Sequence, residues 1–322
     1  MNRVAEILGI EIPVVQAPMT WVTSAELVAA VSNAGGMGVL GPNAGQDTLS
    51  DDPIETGERL RREIKKTREL TNKPFGVNYL LPYDNSVEDP FSKAILNVMI
   101  EENITVVFTV GGSNPTEIKR LKDLGFTVVF REITPTITGA KEAEMAGADI
   151  IVATGFDEGG ATPDQPIGTM TIVPLIVDAV NIPVLATGGI ADRRGVNASF
   201  ALGAEGVYIG TLFNSSIESP VHKKVKQALV SYGAEDLLLL KGVHGGYWRA
   251  IPNSFALEIE KSNAEGKQHN KNVSNLKKAM LDGDFDEGTI TVSSGIEFIK
   301  EIKSCSDIIE ELMGDVRSRK YN

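Results

Sequence analysis

Short β-branched apolar runs recur along the chain, separated by stretches with helical periodicity. The runs are PVVQA (13–17), MGVL (37–40), FGVNYL (75–80), TVVFTV (105–110), TVVFRE (127–132), DIIVAT (149–154), PVLATG (183–188) and GVYIGT (206–211). They are continuously apolar rather than alternating, the pattern of parallel strands covered on both faces. Between them lie amphipathic stretches such as SAELVAAVSNAGG (24–36), PTEIKRLKDLG (115–125), ITGAKEAEMAGA (137–148) and IVPLIVDAVN (172–181). Several end in glycine or asparagine, as helix C-termini do. Eight βα units in succession predict an α/β fold of the TIM (β/α)8 barrel type. An open doubly wound sheet gives the same alternation, but no G-x-G-x-x-G follows the first run.

After the eighth run the rhythm changes. Residues 216–286 are polar and helix-prone, and CSDIIEELMGD (305–315) reads as a closing helix. The expectation is a small helical lid domain inserted after strand eight. The barrel then comprises 1–215 and 287–322, and the lid or substrate domain 216–286. A chain of 322 residues, 42% hydrophobic, can bury a core of that size.

The net charge of −12 repels phosphate backbones and anionic membrane surfaces, so neither nucleic acid nor membrane is an expected partner. A small-molecule substrate is. The single cysteine, Cys305, excludes a disulfide framework and an all-cysteine iron–sulfur cluster on one chain, and no metal site is expected. The opening residues hold no apolar run of signal-peptide length, and no segment approaches a membrane span. A cytoplasmic location is the default, and exposed apolar faces leave room for a homodimer.

Two glycine motifs carry candidate chemistry. ATGGIADRRG (186–195) follows the seventh run and YIGTLF (208–213) ends the eighth. The loops at these places in a TIM barrel often bind phosphate, because glycine lets backbone N–H groups approach the oxygens closely. Gly188, Gly189, Gly210 and Thr211 are the candidate cradle. QAPM (16–19) ends the first run and GVNY (76–79) lies in the third. Ala17, Pro18, Met19 and Asn78 suit a flavin ring, which needs flat backbone and amide partners at its polar edge. Taken singly, each of these residues also has a plain reading as turn, cap or core.

Together, QAPM, FGVNYLLP, GADIIVATGFDEGG, TMTIVPLIVDAVNIPVLATGGIADRRG, LGAEGVYIGTLF and the tail segments YWRAIPN and DGDFDEGTITVSSGIEFI resemble the nitronate monooxygenase family. That family includes the flavin-type (type II) enoyl-ACP reductases. The resemblance runs nearly end to end. It implies a TIM barrel that binds FMN noncovalently under a small helical domain. The phosphate would sit on Gly188, Gly189, Gly210 and Thr211, and the ring near Ala17, Pro18, Met19 and Asn78. Gly159 and Gly160 would line the site. Members oxidise alkyl nitronates with O2, or use NADH or NADPH to reduce enoyl thioesters or quinones.

The chain departs from the family at its sixth-strand loop. Relatives usually read G-x-E-[AS]-G-G-H there, and the histidine is their acid–base group. Here the loop reads GFDEGGA, with Ala161 in place of the histidine and a longer continuation through Pro163, Asp164, Gln165 and Pro166. Ser293 and Ser294 stand where a Gly-Gln pair is common. Candidate replacements are His244, in KGVHGGYWRA, and the adjacent acids Asp157 and Glu158, whose mutual repulsion can raise one pKa. A further option needs no protein base, since a nitronate is already deprotonated. The expected activity is FMN-dependent oxidation of alkyl nitronates without the usual histidine. The alternatives are an NAD(P)H-dependent enoyl-thioester or quinone reductase, and a flavin-binding protein with reduced catalysis.

Overall fold

Each of the eight apolar runs forms a strand close to where the pattern places it. In chain order the strands are β1 (Val14–Gln16), β2 (Gly38–Leu40), β3 (Phe75–Leu80), β4 (Val106–Gly111), β5 (Thr127–Glu132), β6 (Ile150–Thr154), β7 (Gly160–Thr162), β8 (Val184–Thr187), β9 (Gly206–Ile209), β10 (Leu238–Lys241) and β11 (Tyr247–Ala250). They are seen in a computed structural model that describes residues 2–82, 89–242, 245–267 and 271–314. The candidate His244 lies outside the described residues.

The main sheet has eight parallel strands in the order β1-β9-β8-β6-β5-β4-β3-β2. The two ends of that order meet. Gln16 N–H donates to the Met37 carbonyl and Met37 N–H to the Val14 carbonyl, each at 2.9 Å. The result is a near-closed, TIM-like barrel.

The continuous apolar runs serve two cores at once, because alternate side chains leave a strand in opposite directions. Val15, Val39, Phe108, Val129, Val152 and Leu185 point inward and fill the barrel. Their neighbours Val14, Leu40, Val107, Phe130 and Ile151 point outward against the helices. There they meet Val28 and Val31 of helix Ala25–Asn33, Ile118 of helix Pro115–Asp123, and Ile308 and Leu312 of the closing helix Cys305–Met313. Polar N-caps fix where these helices start. Ser24 accepts from Leu27 N–H, and Asp192 from the N–H groups of Arg194 and Gly195.

The segment after β9 is helical only in part, which corrects the all-helical expectation. It contains helices Lys223–Ser231, Ser254–Ala264 and Leu276–Met280, but also the antiparallel pair β10–β11. β11 pairs in turn with β7, from the loop after β6. The runs LLLK and YWRA give this sheet one apolar side, where Leu240 and Ala250 pack on Phe255, Ala256 and Ile259. A separate cluster joins Val221, Val225, Leu229 and Ile251 to Ile290, Val292 and Ile296, and to Trp21 and Val22 just after β1. The segment is thereby held against the C-terminal rim of the barrel. Among the described residues, no helix is long and apolar enough to cross a membrane.

Candidate active site

At that rim the strand ends surround one cavity, which collects the residues that the sequence motifs single out. Ala17, Pro18 and Met19 enter after β1, and Asn78 from β3. Gly159, Gly160 and Ala161 enter after β6, Gly188 and Gly189 after β8, and Gly210 and Thr211 after β9. Trp248, Leu276 and Met280 close it from the segment after β9.

The β8 and β9 side of the cavity is made of backbone. Gly188 has φ 112° and Gly189 φ 70°, a region that side chains with a Cβ rarely adopt. A Cβ on Gly188 would also lie 2.6 Å from Thr169 Oγ1 and 2.9 Å from the Gly155 carbonyl oxygen. Thr211 Oγ1 accepts from Ser293 N–H at 2.9 Å, which ties this side to the stretch after the inserted segment. Arg194, beside these glycines, is turned away: it pairs with Asp192 and lies 4.8 Å over the Phe298 ring.

The β6 side is made of side chains. Asp157 Oδ2 accepts from Thr169 N–H and Thr169 Oγ1, each at 2.8 Å. Helix Thr169–Val177 has glycine at its N-cap, so Asp157 supplies the missing cap. Its carboxylate is committed to that helix and does not line the cavity. The Asp157 carbonyl accepts from Ser294 N–H at 3.0 Å. Arg249 of β11 staples the same loop from the other side. It donates to the Phe156 carbonyl at 2.7 Å and the Glu158 carbonyl at 3.1 Å, with its guanidinium over the Phe156 ring.

Glu158 behaves differently from Asp157. It is buried, lines the cavity, and forms a short ion pair with Arg131 of β5. Its second oxygen, Oε1, is buried without a hydrogen-bond partner. Burial pushes the carboxyl up to about 7, against the opposing pull of Arg131 and Arg249. Arg131 is held above its usual value, because its pairing with Glu158 outweighs the cost of burial. Tyr208, beside both, lines the cavity too and is pushed up by burial.

Glu158 stands at a loop position where the family pattern has alanine or serine. Ala161, at the histidine position, sits in β7 opposite Trp248 of β11. His222 caps helix Lys223–Ser231 through Nδ1, which accepts from Lys224 N–H at 3.3 Å. Tyr79 is a core residue that donates to Glu117 at 2.9 Å. Arg131 was not singled out from the sequence, although a signal existed. It is the one cation in the run TVVFRE, two residues after Val129 and so on its inward face. Asn214, whose Oδ1 is buried in the same cavity without a partner, carried no such signal.

Comparison with known proteins agrees with this layout. The family model described as nitronate monooxygenase matches residues 1–315. A probable nitronate monooxygenase of Staphylococcus aureus (strain JH9) is 34% identical, with 86% of each chain covered. Another, from Staphylococcus haemolyticus, is 36% identical over 79% of each. Among solved structures, FabK from Thermotoga maritima is 34% identical, with a TM-score of 0.86 over 99% of this chain and 96% of that one. A nitroalkane oxidase from Streptomyces ansochromogenes is 26% identical, with a TM-score of 0.80 over 98% of each chain. With its barrel, its rim cavity and a match that spans nearly its whole length, the chain belongs to the nitronate monooxygenase family and is an oxidoreductase of that flavin-dependent family.

Proposed function

We propose that this chain binds FMN in the rim cavity and oxidises alkyl nitronates with O2 without a histidine base. The observation that carries the reading is the make-up of the cavity. One wall is glycine backbone, where a side chain at Gly188 or Gly189 would be strained, and two residues that line the cavity, Glu158 and Asn214, each carry a buried acceptor oxygen without a partner. Such acceptors suit a ligand that brings N–H or O–H donors. The glycine wall suits its phosphate, with Gly188, Gly189, Gly210 and Thr211 as the cradle. Ala17, Pro18, Met19, Asn78, Gly159 and Gly160 would border the ring. When bound, FMN would supply the redox chemistry that links oxidation of the substrate to reduction of O2.

The protein's own part is binding and charge. A nitronate arrives already deprotonated, so alanine at 161 removes nothing that its oxidation needs. Arg131 supplies a buried cation for the anionic head group. Glu158 sets how much of that charge is felt. Protonated, it leaves Arg131 free to attract an anion; ionised, it cancels Arg131 and repels one. Asp157 holds the loop in place, and the segment 216–286 acts as the lid through Trp248, Leu276 and Met280.

The similarity to FabK favours a second reading, an NAD(P)H-dependent enoyl-thioester reductase. One experiment separates the two. Purified protein should carry a flavin absorbance spectrum, and anaerobic addition of ethyl nitronate should bleach it while NADH and NADPH leave it unchanged. Rapid bleaching by either nicotinamide selects the reductase. A colourless protein that takes up no FMN removes both.

A further inference from the structure

Among the described residues, three other than glycine have a left-handed backbone: Trp21, Asn43 and Asn103. Asparagine visits that region at small cost, because its short polar side chain can bond locally. Trp21, with φ 71°, is the bulky exception, and a large side chain is strained there. Such strain persists only where the surrounding structure over-determines the conformation.

The surroundings of Trp21 do so from two sides. Its N–H donates to the Pro42 carbonyl at 2.9 Å, which ties the backbone to the loop after β2. Its side chain is buried in the cluster that contains Val221, Val225, Leu229 and Ile251 of the segment after β9. Trp21 does not line the rim cavity, but Ala17, Pro18, Met19 and Thr20 before it do, and so does Val22 after it. At its other end this stretch is held by the barrel, through Ala17 N–H to the Ile209 carbonyl at 2.8 Å. Four cavity-lining residues therefore run between a fixed strand end and a strained residue. The apolar cluster of the lid offsets the strain.

We propose that Trp21 is a positioning residue that couples the lid to the cofactor seat. Burial of its indole in the lid cluster holds its backbone left-handed, and so holds Ala17–Thr20 in the shape that borders the flavin ring. The inference rests on the reading of the rim cavity as an FMN site. It adds that FMN affinity depends on apolar contacts that touch neither the cavity nor the cofactor. By linkage, bound FMN tightens the lid cluster in return.

The test titrates apoprotein with FMN and follows flavin fluorescence. Trp21→Ala loses the indole and keeps the strain, and it should weaken binding about tenfold or more. Trp21→Gly should lose less, because glycine takes this φ freely. Leu229→Ala, a buried change in the same cluster and away from the cavity, should weaken binding about threefold or more. The same change should add nothing once Trp21 is glycine. Leu121→Ala, in the outer core, controls for general destabilisation and should leave FMN affinity unchanged. Should Leu229→Ala not fold, Ile251→Val makes the same comparison with a milder change in the same cluster. Unchanged affinity in the cluster variant, or an equal loss in Leu121→Ala, overturns the coupling and leaves the proposed function standing. Equal affinity of Trp21→Ala and Trp21→Gly overturns it too. If the wild type takes up no FMN, the proposed function falls, and hydrogen–deuterium exchange of the apoprotein decides the coupling alone. Faster exchange of segment 17–21 in the cluster variant but not in Leu121→Ala supports it; no difference between the two overturns it.

Discussion

The two sides of the rim cavity are built on opposite principles. At the ends of β8 and β9 the wall is backbone, shaped by Gly188 and Gly189 in conformations that a side chain would strain. At the end of β6 the wall includes the side chains of Glu158 and Arg131, and behind it Asp157 and Arg249 hold the loop in place. The backbone side keeps the family's motif. The side-chain side carries alanine at 161 and a buried glutamate at 158. A backbone cradle has few ways to change and still bind. A side-chain network can move its charges from one position to another and keep its shape.

The largest expected effect lies in the side-chain half. Glu158→Leu leaves Arg131 buried without a counter-charge, and a guanidinium cannot neutralise itself by losing its proton. Unfolding in urea should show a loss of about 3 kcal/mol or more. Both variants are compared at pH 8.5, where Glu158 is ionised in the wild type, and Arg131→Met should cost clearly less, because a carboxyl that loses its cation can take up a proton. The double variant should recover most of the Glu158→Leu loss. Equal costs for the two single variants would mean that the pair is not the asymmetric unit described above.

In the backbone half, Gly188→Val combines a left-handed φ with contacts under 3 Å to Thr169 and Gly155. Strain of about 1–3 kcal/mol should appear as FMN binding weakened up to roughly 100-fold, read by flavin fluorescence, whatever stands in the β6 loop. Retention of the flavin at wild-type affinity would show that the cradle is not where the cofactor is held.

Ala161→His tests whether the two halves are separable. Restoring the imidazole should add activity on neutral nitroalkane of the order of 100-fold over wild type, with ethyl nitronate turnover nearly unchanged. Stopped-flow reduction by nitroethane measures it. No gain would mean that the loop's new charges prevent a histidine from working there.

The smallest effect is a pH dependence. Glu158 ionises as pH rises through about 7. Above that pH its charge cancels Arg131, so kcat/KM for a nitronate should fall about tenfold toward pH 9, a loss of about 1.4 kcal/mol. Glu158→Gln should abolish the fall. The same raised pKa means that the folded chain holds this proton more tightly than the unfolded one. Its contribution to stability is present below about 4.5 and is lost as pH rises to about 7. Thermal melts of wild type against Glu158→Gln across that window check the sign.

The eight barrel strands were legible because each is a short, wholly apolar run, and turns and helices of ordinary composition separate them. The glycine cradle was legible because its constraint is local: a backbone angle depends on the residue that adopts it. The β10–β11–β7 sheet was not, since β7 is only three residues long and has no pattern until β11 lies beside it. Asp157 and Glu158 looked alike as neighbouring acids. Opposite facing separates them, one capping a helix and the other entering the barrel mouth.

The sequence by itself determined the barrel and the placing of its glycine motifs at the strand ends that border the rim cavity. These follow from periodicity and from residue types at fixed positions. Only the tertiary structure decided that Arg131 and Glu158 meet. They lie 27 residues apart on adjacent parallel strand units, and closure of the barrel turns both inward. It also decided that Glu158 carries an unpartnered oxygen and a raised pKa. Burial and neighbouring charge are properties of the assembled interior, and no segment of chain possesses them alone.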